Sequence, residues 1–417
     1  MKKIILLLIL IWFCVFPDLF MNLLKGQDSQ GNVVDFPRFQ AHLVDTLRSG
    51  YKVKVADLNN DGKPDIIGLS TNPAQLVWYK NPTWEKHIIT TQTVRNIDVE
   101  PYDIDKDGRI DLALASEFEM RETLSGGLIQ WFRNPGDSDQ EWALHPIASE
   151  PTSHRLLWAD VDGDRRKELI DAPIMGRSAK DPTWEIGVNL LWFRIPEEPA
   201  EIRWMPQVID NQLTVLHGIS VLDWDHDGRD DLLTASFEGV HLFQSVVTGN
   251  SVLWKKRQLG TGQEADPPKR GSSEIGVGFI NFQEQRYLAT IEPWHGDKVV
   301  VYVPDMRNGS LWKRQVIDST FNEGHALVTA DLDSNGTDEI VAGYRGKGTS
   351  MYIYCCRDSQ GTSWERLPLD EGDMATSGIV TADLNMDGKL DIIAVGTSTN
   401  NIKWYENKGL VKVDLNR

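Results

Sequence analysis

Six short acidic segments of the chain share one pattern of oxygen-bearing side chains. Each carries Asp, Asn or Glu at its first, third, fifth and ninth positions, and five of them carry Gly at the sixth. Alternate side chains at this spacing can converge on one ion, while Gly permits the sharp turn that convergence requires. Oxygen donors without His or Cys favour Ca²⁺ over zinc or copper. The predicted calcium ligands are Asp57, Asn59, Asp61 and Asp65; Asp103, Asp105, Asp107 and Asp111; Asp160, Asp162, Asp164 and Glu168; Asp223, Asp225, Asp227 and Asp231; Asp331, Asp333, Asn335 and Glu339; and Asp383, Asn385, Asp387 and Asp391.

The third segment departs from this pattern because Arg165 replaces its Gly, and calcium binding there is left open. Without an ion, the clustered carboxylates of each segment would repel one another. The alternative is a solvated acidic hairpin, but six copies in register favour metal binding. None of the segments contains a catalytic group, so the sequence predicts up to six structural Ca²⁺ ions.

The acidic segments belong to a longer repeat. Their starts are 46 to 63 residues apart, except for one gap of 108, in which a copy without the acidic segment lies near Asn281. A pair of aromatic or apolar residues recurs seven times, and so does a bulky aromatic that opens a short apolar strand. The first such bulky aromatic, Phe39, precedes every acidic segment. The last pair, Trp404-Tyr405, has no bulky aromatic strand after it. This circular order predicts an all-β, seven-bladed β-propeller with four-stranded blades, whose N-terminal strand closes the last blade.

Histidines recur at one position of the repeat. Six residues before the acidic segment, where the inner strand of a blade begins, lie His154, His217 and His325. Fourteen residues after the start of the segment, on the same face, lie His295 and Arg345. Equivalent inner-strand positions of a ring point toward its central channel, so these side chains are predicted to surround one funnel.

A second histidine column lies on the outer strands. His42, His87 and His145 each stand three residues after the bulky aromatic, where they are predicted to be ordinary repeat surface. A column of histidines is therefore no proof of a site. The first column lies on inner strands, and His295 and Arg345 join it from other loops. These two facts favour a functional site there.

Three insertions lengthen loops on the face that carries the first histidine column. They begin at Glu117, Ala172 and Thr261. Long loops on a rigid scaffold usually carry binding or catalysis, and Arg177 is expected to close over an acidic or hydroxylated ligand. The predicted substrate-binding residues are Glu117, Glu119, Glu238 and Arg177.

The acidic segments and their flanking apolar strands resemble the FG-GAP and VCBS repeats of integrin-α-like propellers, over nearly all of residues 28–417. The resemblance implies that calcium loops join the first and second strands on one face, and that ligands meet the opposite face. Two segments, Asn322–Gly346 and Ala289–Tyr302, resemble the propeller domain of the aldos-2-ulose dehydratase/isomerase family. That family eliminates water from keto-sugars.

This second resemblance implies a carbohydrate-active lyase or dehydratase that performs β-elimination on a keto-sugar or an oxidised glycoside. The alternative is a non-catalytic propeller that binds a glycan or a protein outside the cell. A keto-sugar or other carbohydrate is thus the expected ligand, and an extracellular protein or glycan is the alternative partner.

β-Elimination needs a base for the proton next to the carbonyl, an electrophile for the enolate oxygen and an acid for the leaving group. His325 or His217 is predicted as the base, because the unperturbed pKa of histidine lies near working pH. Arg345 is predicted to hold the enolate and His295 to protonate the leaving group, with His154 completing the catalytic set. A divalent metal, such as zinc, on the histidine face is a further interpretation, although a sevenfold ring is expected to hold the three column histidines too far apart.

The chain has 43 Lys and Arg against 61 Asp and Glu, a net charge of −18, which argues against nucleic acid as a partner.

Lys2 and Lys3 precede an apolar run at residues 4–16, as in an export signal. Because apolar residues resume up to residue 24, an uncleaved membrane anchor is the alternative. We therefore expect a leader over residues 1–27, a single propeller over 28–417 and a periplasmic, extracellular or outer-surface location.

Overall fold

The computed structural model describes residues 33–414, apart from 138–139, 250, 283–284 and 306–310. The described residues form 28 β-strands in seven four-stranded antiparallel sheets, which are the blades of a β-propeller. The predicted all-β, seven-bladed fold is confirmed. The predicted leader, residues 1–27, lies outside the described residues, and within them there is no helix with the length and hydropathy needed to cross a bilayer.

Each blade runs from an inner strand at the channel to an outer strand at the rim. The blades, each from inner to outer strand, are: β2 (Gly50–Ala56), β3 (Asp65–Thr71), β4 (Ala74–Lys80) and β5 (Glu85–Thr90); β6 (Asp98–Tyr102), β7 (Asp111–Ser116), β8 (Leu128–Arg133) and β9 (Ala143–Ser149); β10 (Ser153–Ala159), β11 (Glu168–Pro173), β12 (Leu190–Phe193) and β13 (Pro206–Asp210); β14 (Gly218–Leu222), β15 (Asp231–Ser236), β16 (Gly239–Thr248) and β17 (Ser251–Gly260); β18 (Ile275–Ile280), β19 (Gln285–Glu292), β20 (Lys298–Val303) and β21 (Lys313–Asp318); β22 (Gly324–Ala330), β23 (Glu339–Tyr344), β24 (Met351–Cys356) and β25 (Trp364–Asp370); and β26 (Thr376–Ala382), β27 (Asp391–Gly396), β28 (Asn401–Asp414) and β1 (Val33–Asp45).

The last sheet joins the two ends of the chain. β1 pairs with β28, so the N-terminal strand is the outer strand of the seventh blade, as the circular order of the repeats predicts. The compact propeller extends from Phe39 to Lys408, a narrower range than the predicted 28–417. Residues 33–38 and 409–414 belong to a second, small unit, in which Lys412 and Asp35 lie 3.5 Å apart.

The acidic segments are the turns between the first and second strands. The ninth position of each segment is the first residue of the second strand, as Asp65 is for β3 and Asp111 for β7. The sixth-position glycines have left-handed backbone, for example φ +84° at Gly62, which an L side chain rarely adopts. In the third copy Arg165 adopts this conformation with φ +69°, so the turn persists without the glycine.

Aromatic pairs on the third strands fill the space between neighbouring blades. Trp131, Trp192, Tyr302 and Tyr354 are almost fully buried there. The outer-strand histidines stack on these aromatics: His87 lies 4.5 Å from Trp78 and His145 lies 4.7 Å from Trp131, measured between ring centroids. The second histidine column is therefore part of blade packing and lies on the outer strands, away from the inner strands of the first column.

Candidate functional site

Two of the three histidines of the first column occupy irregular positions of the inner strands, and the third, His217, directly precedes β14. Ladder pairing skips one residue in four inner strands, and these residues are Tyr51 of β2, His154 of β10, His325 of β22 and Ser377 of β26. An extra residue of this kind leaves the ladder and turns its side chain in a new direction. Repetition of the irregularity at equivalent positions brings the hydroxyl of Tyr51 within 3.4 Å of His154 and 3.1 Å of His325, which lie in other blades.

Four histidines meet at this point. The ring centroid of His217 lies 4.8 Å from that of His154, 4.7 Å from that of His295 and 5.3 Å from that of His325. The ligand nitrogens of His217, His295 and His325 all lie within 4.8 Å of one another. The predicted wide separation concerned His154, His217 and His325; the converging group instead joins two of them to His295, which reaches the centre from the loop between β19 and β20.

The histidine rings are held from behind. Nδ1 of His325 donates to the carbonyl oxygen of Ser377 at 3.1 Å, and Nδ1 of His217 lies 3.1 Å from Oε1 of Glu274. These contacts direct the Nε2 atom of each ring to the centre, where the hydroxyl of Tyr51 lies 3.1 Å from Nε2 of His325. The Nε2 atoms of His217 and His295 are 2.9 Å apart.

Burial lowers the pKa of every histidine in the cluster. The pKa of His217 falls to about 4, and those of His154, His295 and His325 lie well below the ordinary value, with nearby Arg155 and Arg345 adding to the effect. All four rings are therefore neutral at neutral pH and offer lone pairs, either for a proton or for a metal ion.

Glu274 is a member of the site that the sequence analysis missed. Its carboxylate lies 3.0 Å from the guanidinium of Arg155, whose side chain is almost fully buried. Burial alone would raise the pKa of Glu274, but Arg155 and His217 outweigh it and hold that pKa at about 2. The only signal for Glu274 in the sequence is its position in the repeat. It directly precedes Ile275, which in its own blade stands where the first histidine column has a histidine in three others. Arg155, in turn, directly follows His154.

A cavity of about 540 Å³ opens above the cluster. His154 and His295 line it, together with Arg345, whereas His217 and His325 have no exposed surface and are not among its lining residues. The remaining lining residues are Tyr51, Thr71, Asn72, Arg95, Asn96, Ile97, Phe118, Met120, Ile174, Trp294 and Thr397. The lining includes two arginines and no carboxylate, although the chain as a whole is strongly acidic.

The long loops form the wall of this cavity through apolar side chains. Phe118 and Met120 come from the second blade, and Ile174 comes from the third. They pack with a cluster that includes Trp184, Val215 and Phe237. Phe118, Met120 and Trp294 were not predicted as cavity residues, because apolar residues in a loop give no periodic signal in the sequence.

The four residues predicted to bind substrate lie outside the cavity lining. Arg177 is paired with Glu150 at 2.8 Å. Glu238 accepts hydrogen bonds from the backbone and the hydroxyl of Thr214, and Glu119 is exposed. Glu117 stands directly before the lining residue Phe118, with a left-handed backbone at φ +52°. The structure therefore does not bring these four together with the histidines.

The acidic turns bring their carboxylates together as predicted from the spacing. In four of them, three carboxylates offer oxygens within 4.8 Å of one another; these are Asp103, Asp105 and Asp111; Asp160, Asp162 and Glu168; Asp223, Asp225 and Asp227; and Asp331, Asp333 and Glu339.

The first-position carboxylate organises each turn. Oδ2 of Asp57 accepts the backbone N–H of Gly62 at 2.8 Å, and in the third copy Oδ2 of Asp160 accepts that of Arg165 at the same distance. Burial, followed by the neighbouring carboxylates, raises the pKa of Asp111 to about 7 and that of Glu339 to about 9. A bound cation would relieve this repulsion, so these turns fit Ca²⁺.

Comparison with known proteins confirms both resemblances. The family model of FG-GAP-like repeats matches residues 57–114 and 331–394, and that of the aldos-2-ulose dehydratase beta-propeller domain matches residues 126–305. Aldos-2-ulose dehydratase from Phanerodontia chrysosporium is 23% identical over 408 residues, which cover 87% of this chain. The chain spans only 44% of the length of that relative.

Two solved lectins share the fold. The BP39L lectin from Burkholderia pseudomallei superposes with a TM-score of 0.56 at 11% identity, covering 88% of this chain and 98% of the lectin. An Agrocybe aegerita lectin that recognises non-reducing terminal N-acetylglucosamine superposes with a TM-score of 0.50 at 12% identity, covering 87% and 86% of the two chains. The chain is thus a seven-bladed propeller with FG-GAP-like repeats. In sequence it is similar to the propeller domain of aldos-2-ulose dehydratase.

Proposed function

We propose that the protein is a carbohydrate lyase that performs β-elimination on a keto-sugar or an oxidised glycoside in the cavity above the histidine cluster. The observation that carries the proposal is a cluster of four neutral histidines below one small cavity, which His154, His295 and Arg345 line. The similarity to aldos-2-ulose dehydratase supports carbohydrate as the ligand. We also propose that the apolar leader directs the protein out of the cytoplasm.

The elimination breaks the C–H bond next to the carbonyl, forms a carbon–carbon double bond and releases the hydroxyl or alkoxyl group of the next carbon. We assign the base to His154 rather than to His325 or His217, because His154 lines the cavity and the other two are sealed below it. Nδ1 of His154 is buried and has no hydrogen-bond partner among the described residues, so a substrate that reaches it would supply the missing partner. The proton that His154 takes up can pass to the departing oxygen, which leaves as water or an alcohol.

Arg345 is placed to hold the carbonyl oxygen as its negative charge develops. The guanidinium borders the cavity, and its Nη2 atom lies 3.5 Å from Nδ1 of His295. Arginine keeps its charge at all relevant pH values and can donate several hydrogen bonds. Its donors would therefore be worth more to the enolate than to the neutral substrate.

We propose further that His217, His295 and His325 hold a divalent transition metal. Three neutral imidazoles with converging nitrogens form a set of donors that zinc prefers. The contacts of His217 with Glu274 and of His325 with Ser377 are the supports that usually orient metal-binding histidines. A metal ion bound there would supply a Lewis acid for the substrate carbonyl. The role of His295 then becomes that of a ligand, so the leaving group is left to His154.

The alternative function is glycan binding without chemistry. It is favoured by the aromatic rings of Phe118 and Trp294 at the cavity, since a sugar presents apolar C–H faces that pack on such rings. In this case the histidines would serve only to shape the floor of the cavity.

Screening keto-sugars for the ultraviolet absorbance of an enone product tests the proposal. We expect turnover by the wild type and a loss of about 10²–10⁴-fold in His154→Ala, the usual worth of a general base. His87→Ala, whose ring stacks on Trp78 at the rim, is the matched control and should keep full activity. Full activity of His154→Ala would refute the assignment, and sugar binding without any enone would favour the glycan-binding alternative.

A further inference from the structure

A second cleft lies beside the catalytic cavity. It has a volume of about 670 Å³ and shares two lining residues, Trp294 and His295, with the cavity above the histidines. The predicted long loop that begins at Thr261 forms one of its walls through Gln263, Ala265, Pro268 and Lys269. We call this space the outer cleft.

Each of the two spaces is large enough for a ligand of its own. Small-molecule sites usually occupy about 300–1,000 Å³, and both volumes fall in that range. Because Trp294 and His295 line both spaces, the outer cleft directly borders the cavity above the histidine cluster. A free monosaccharide held at the histidines would leave the outer cleft unused.

The walls of the outer cleft offer both apolar and hydrogen-bonding surface. Trp294 is half-buried, with its ring 4.8 Å from that of His295 and 5.9 Å from that of Phe237, so its orientation is fixed by packing. Pro268 and Pro293 add apolar surface. This combination suits the C–H face of a sugar ring, as rigid aromatic and proline side chains lose little conformational freedom on binding.

The polar groups of the outer cleft balance in charge. Lys269 and Lys298 supply two positive charges, while Asp297 and Glu323 supply two negative ones. Lys298 is already paired with Asp297 at 2.7 Å, and Glu323 lies 3.6 Å from Arg345. A neutral group rich in hydroxyls therefore fits better than a strongly charged group.

We propose that the outer cleft binds a second, neutral sugar residue, so that the substrate is a keto-glycoside or keto-oligosaccharide rather than a free keto-monosaccharide. This rests on the proposed elimination and specifies its substrate class. Binding of the remote sugar would contribute to transition-state stabilisation, so truncated substrates should lose turnover as well as affinity.

The test compares a keto-disaccharide with the matching keto-monosaccharide, for the wild type and for Ala265→Trp. Ala265 is an exposed residue of the outer cleft, so a tryptophan there should fill the cleft without disturbing the core. We expect the wild type to prefer the disaccharide by about tenfold or more in kcat/KM, because even one methylene contact can discriminate to that extent. Ala265→Trp should abolish the preference by lowering kcat/KM for the disaccharide more than for the monosaccharide. Ala200→Trp, at another exposed alanine, is the matched control and should keep the preference.

Equal kcat/KM for the two substrates in the wild type would overturn the outer subsite, as would a preference that survives in Ala265→Trp. If no keto-sugar is turned over, the proposed elimination fails separately. Calorimetric titration with unoxidised cellobiose and glucose then decides the subsite. Tighter binding of cellobiose that Ala265→Trp removes supports it, and equal or absent binding rejects it.

Discussion

Removal of the carboxylate behind His217 should affect stability and metal binding to different extents, and these two effects can be separated. In Glu274→Gln, the guanidinium of Arg155, whose side chain is 5% exposed, loses its ionic partner at 3.0 Å. Breaking a buried pair from one side typically costs about 3–5 kcal/mol. The glutamine retains an oxygen that can accept from Arg155, so we expect a loss near the lower end, about 3 kcal/mol.

The same substitution weakens the support of the His217 ring, because an amide oxygen is a poorer acceptor for Nδ1 of His217 than a carboxylate oxygen. Loss of a partner that orients a metal ligand typically lowers metal affinity by about 10–100-fold. In the double variant Arg155→Met/Glu274→Gln no buried charge is left unpaired, so most of the stability should return. The affinity for zinc should remain below that of the wild type, because neither substitution restores the carboxylate that faces Nδ1 of His217.

The assays are the free energy of unfolding in denaturant and zinc binding by calorimetry. Glu264→Gln, an exposed position of the same loop, is the control, and its stability should stay within about 0.5 kcal/mol of the wild type. If the double variant bound zinc as tightly as the wild type, Glu274 would be only the partner of Arg155. Wild-type stability of Glu274→Gln would refute the ion-pair reasoning.

Three further predictions concern the scaffold. Excess EDTA should lower the melting temperature of the wild type, because it removes bound Ca²⁺. A ligand that binds only the native state stabilises it by about 2.7 kcal/mol at a hundredfold excess over its Kd. An unchanged melting temperature would contradict structural calcium. In EDTA, Asp65→Ala should lower the free energy of unfolding by about 1–3 kcal/mol, because the buried backbone N–H groups of Leu58 and Asn81 lose their acceptor. Exposed Asp61→Ala should change it by at most about 0.5 kcal/mol. Equal losses of the two variants in urea unfolding would refute the distinction. Deletion of residues 35–48 should remove the outer strand of the seventh blade and expose the edge of β28. Size-exclusion chromatography should then show aggregation. A soluble product that unfolds cooperatively would contradict the closure of the ring by the N-terminal strand.

The repeat made the architecture predictable from the sequence. A fixed order of acidic turn, aromatic pair and outer-strand aromatic determines the number of blades, because each copy is one sheet. The displaced positions of Phe39 and Trp404-Tyr405 determine how the ring closes. The copy near Asn281 has lost its acidic turn, yet β18 and β19 still pair there, since the flanking apolar residues are kept.

The candidate site was predictable only in part. Column spacing placed His154, His217 and His325 at the channel, because equivalent positions of a repeat are equivalent in space. Which of them a ligand can reach depends on depth: His154 borders the cavity, while His325 is sealed beneath it. Both residues occupy the same irregular position of their inner strands, so the difference in depth comes from the packing around them, which the spacing in one sequence does not show.

Ionic partners in the channel were the least predictable. Lys52 lies 3.5 Å from Asp98, and Arg155 pairs with Glu274, although 46 and 119 residues separate the partners in sequence. Charged residues on inner strands look like surface residues until the ring is assembled. For the same reason Arg177, which looked free to bind ligand, is held by Glu150.

Proton NMR of a keto-sugar incubated with the calcium-loaded protein tests the central proposal most directly. A time course should show the signal of the proton next to the carbonyl disappearing, while a vinylic proton signal of the elimination product grows. The same sample with His154→Ala should remain nearly unchanged over this time. If the sugar signals broadened on binding but no vinylic signal appeared with any keto-sugar or keto-glycoside, the protein would be a glycan-binding propeller and not a lyase.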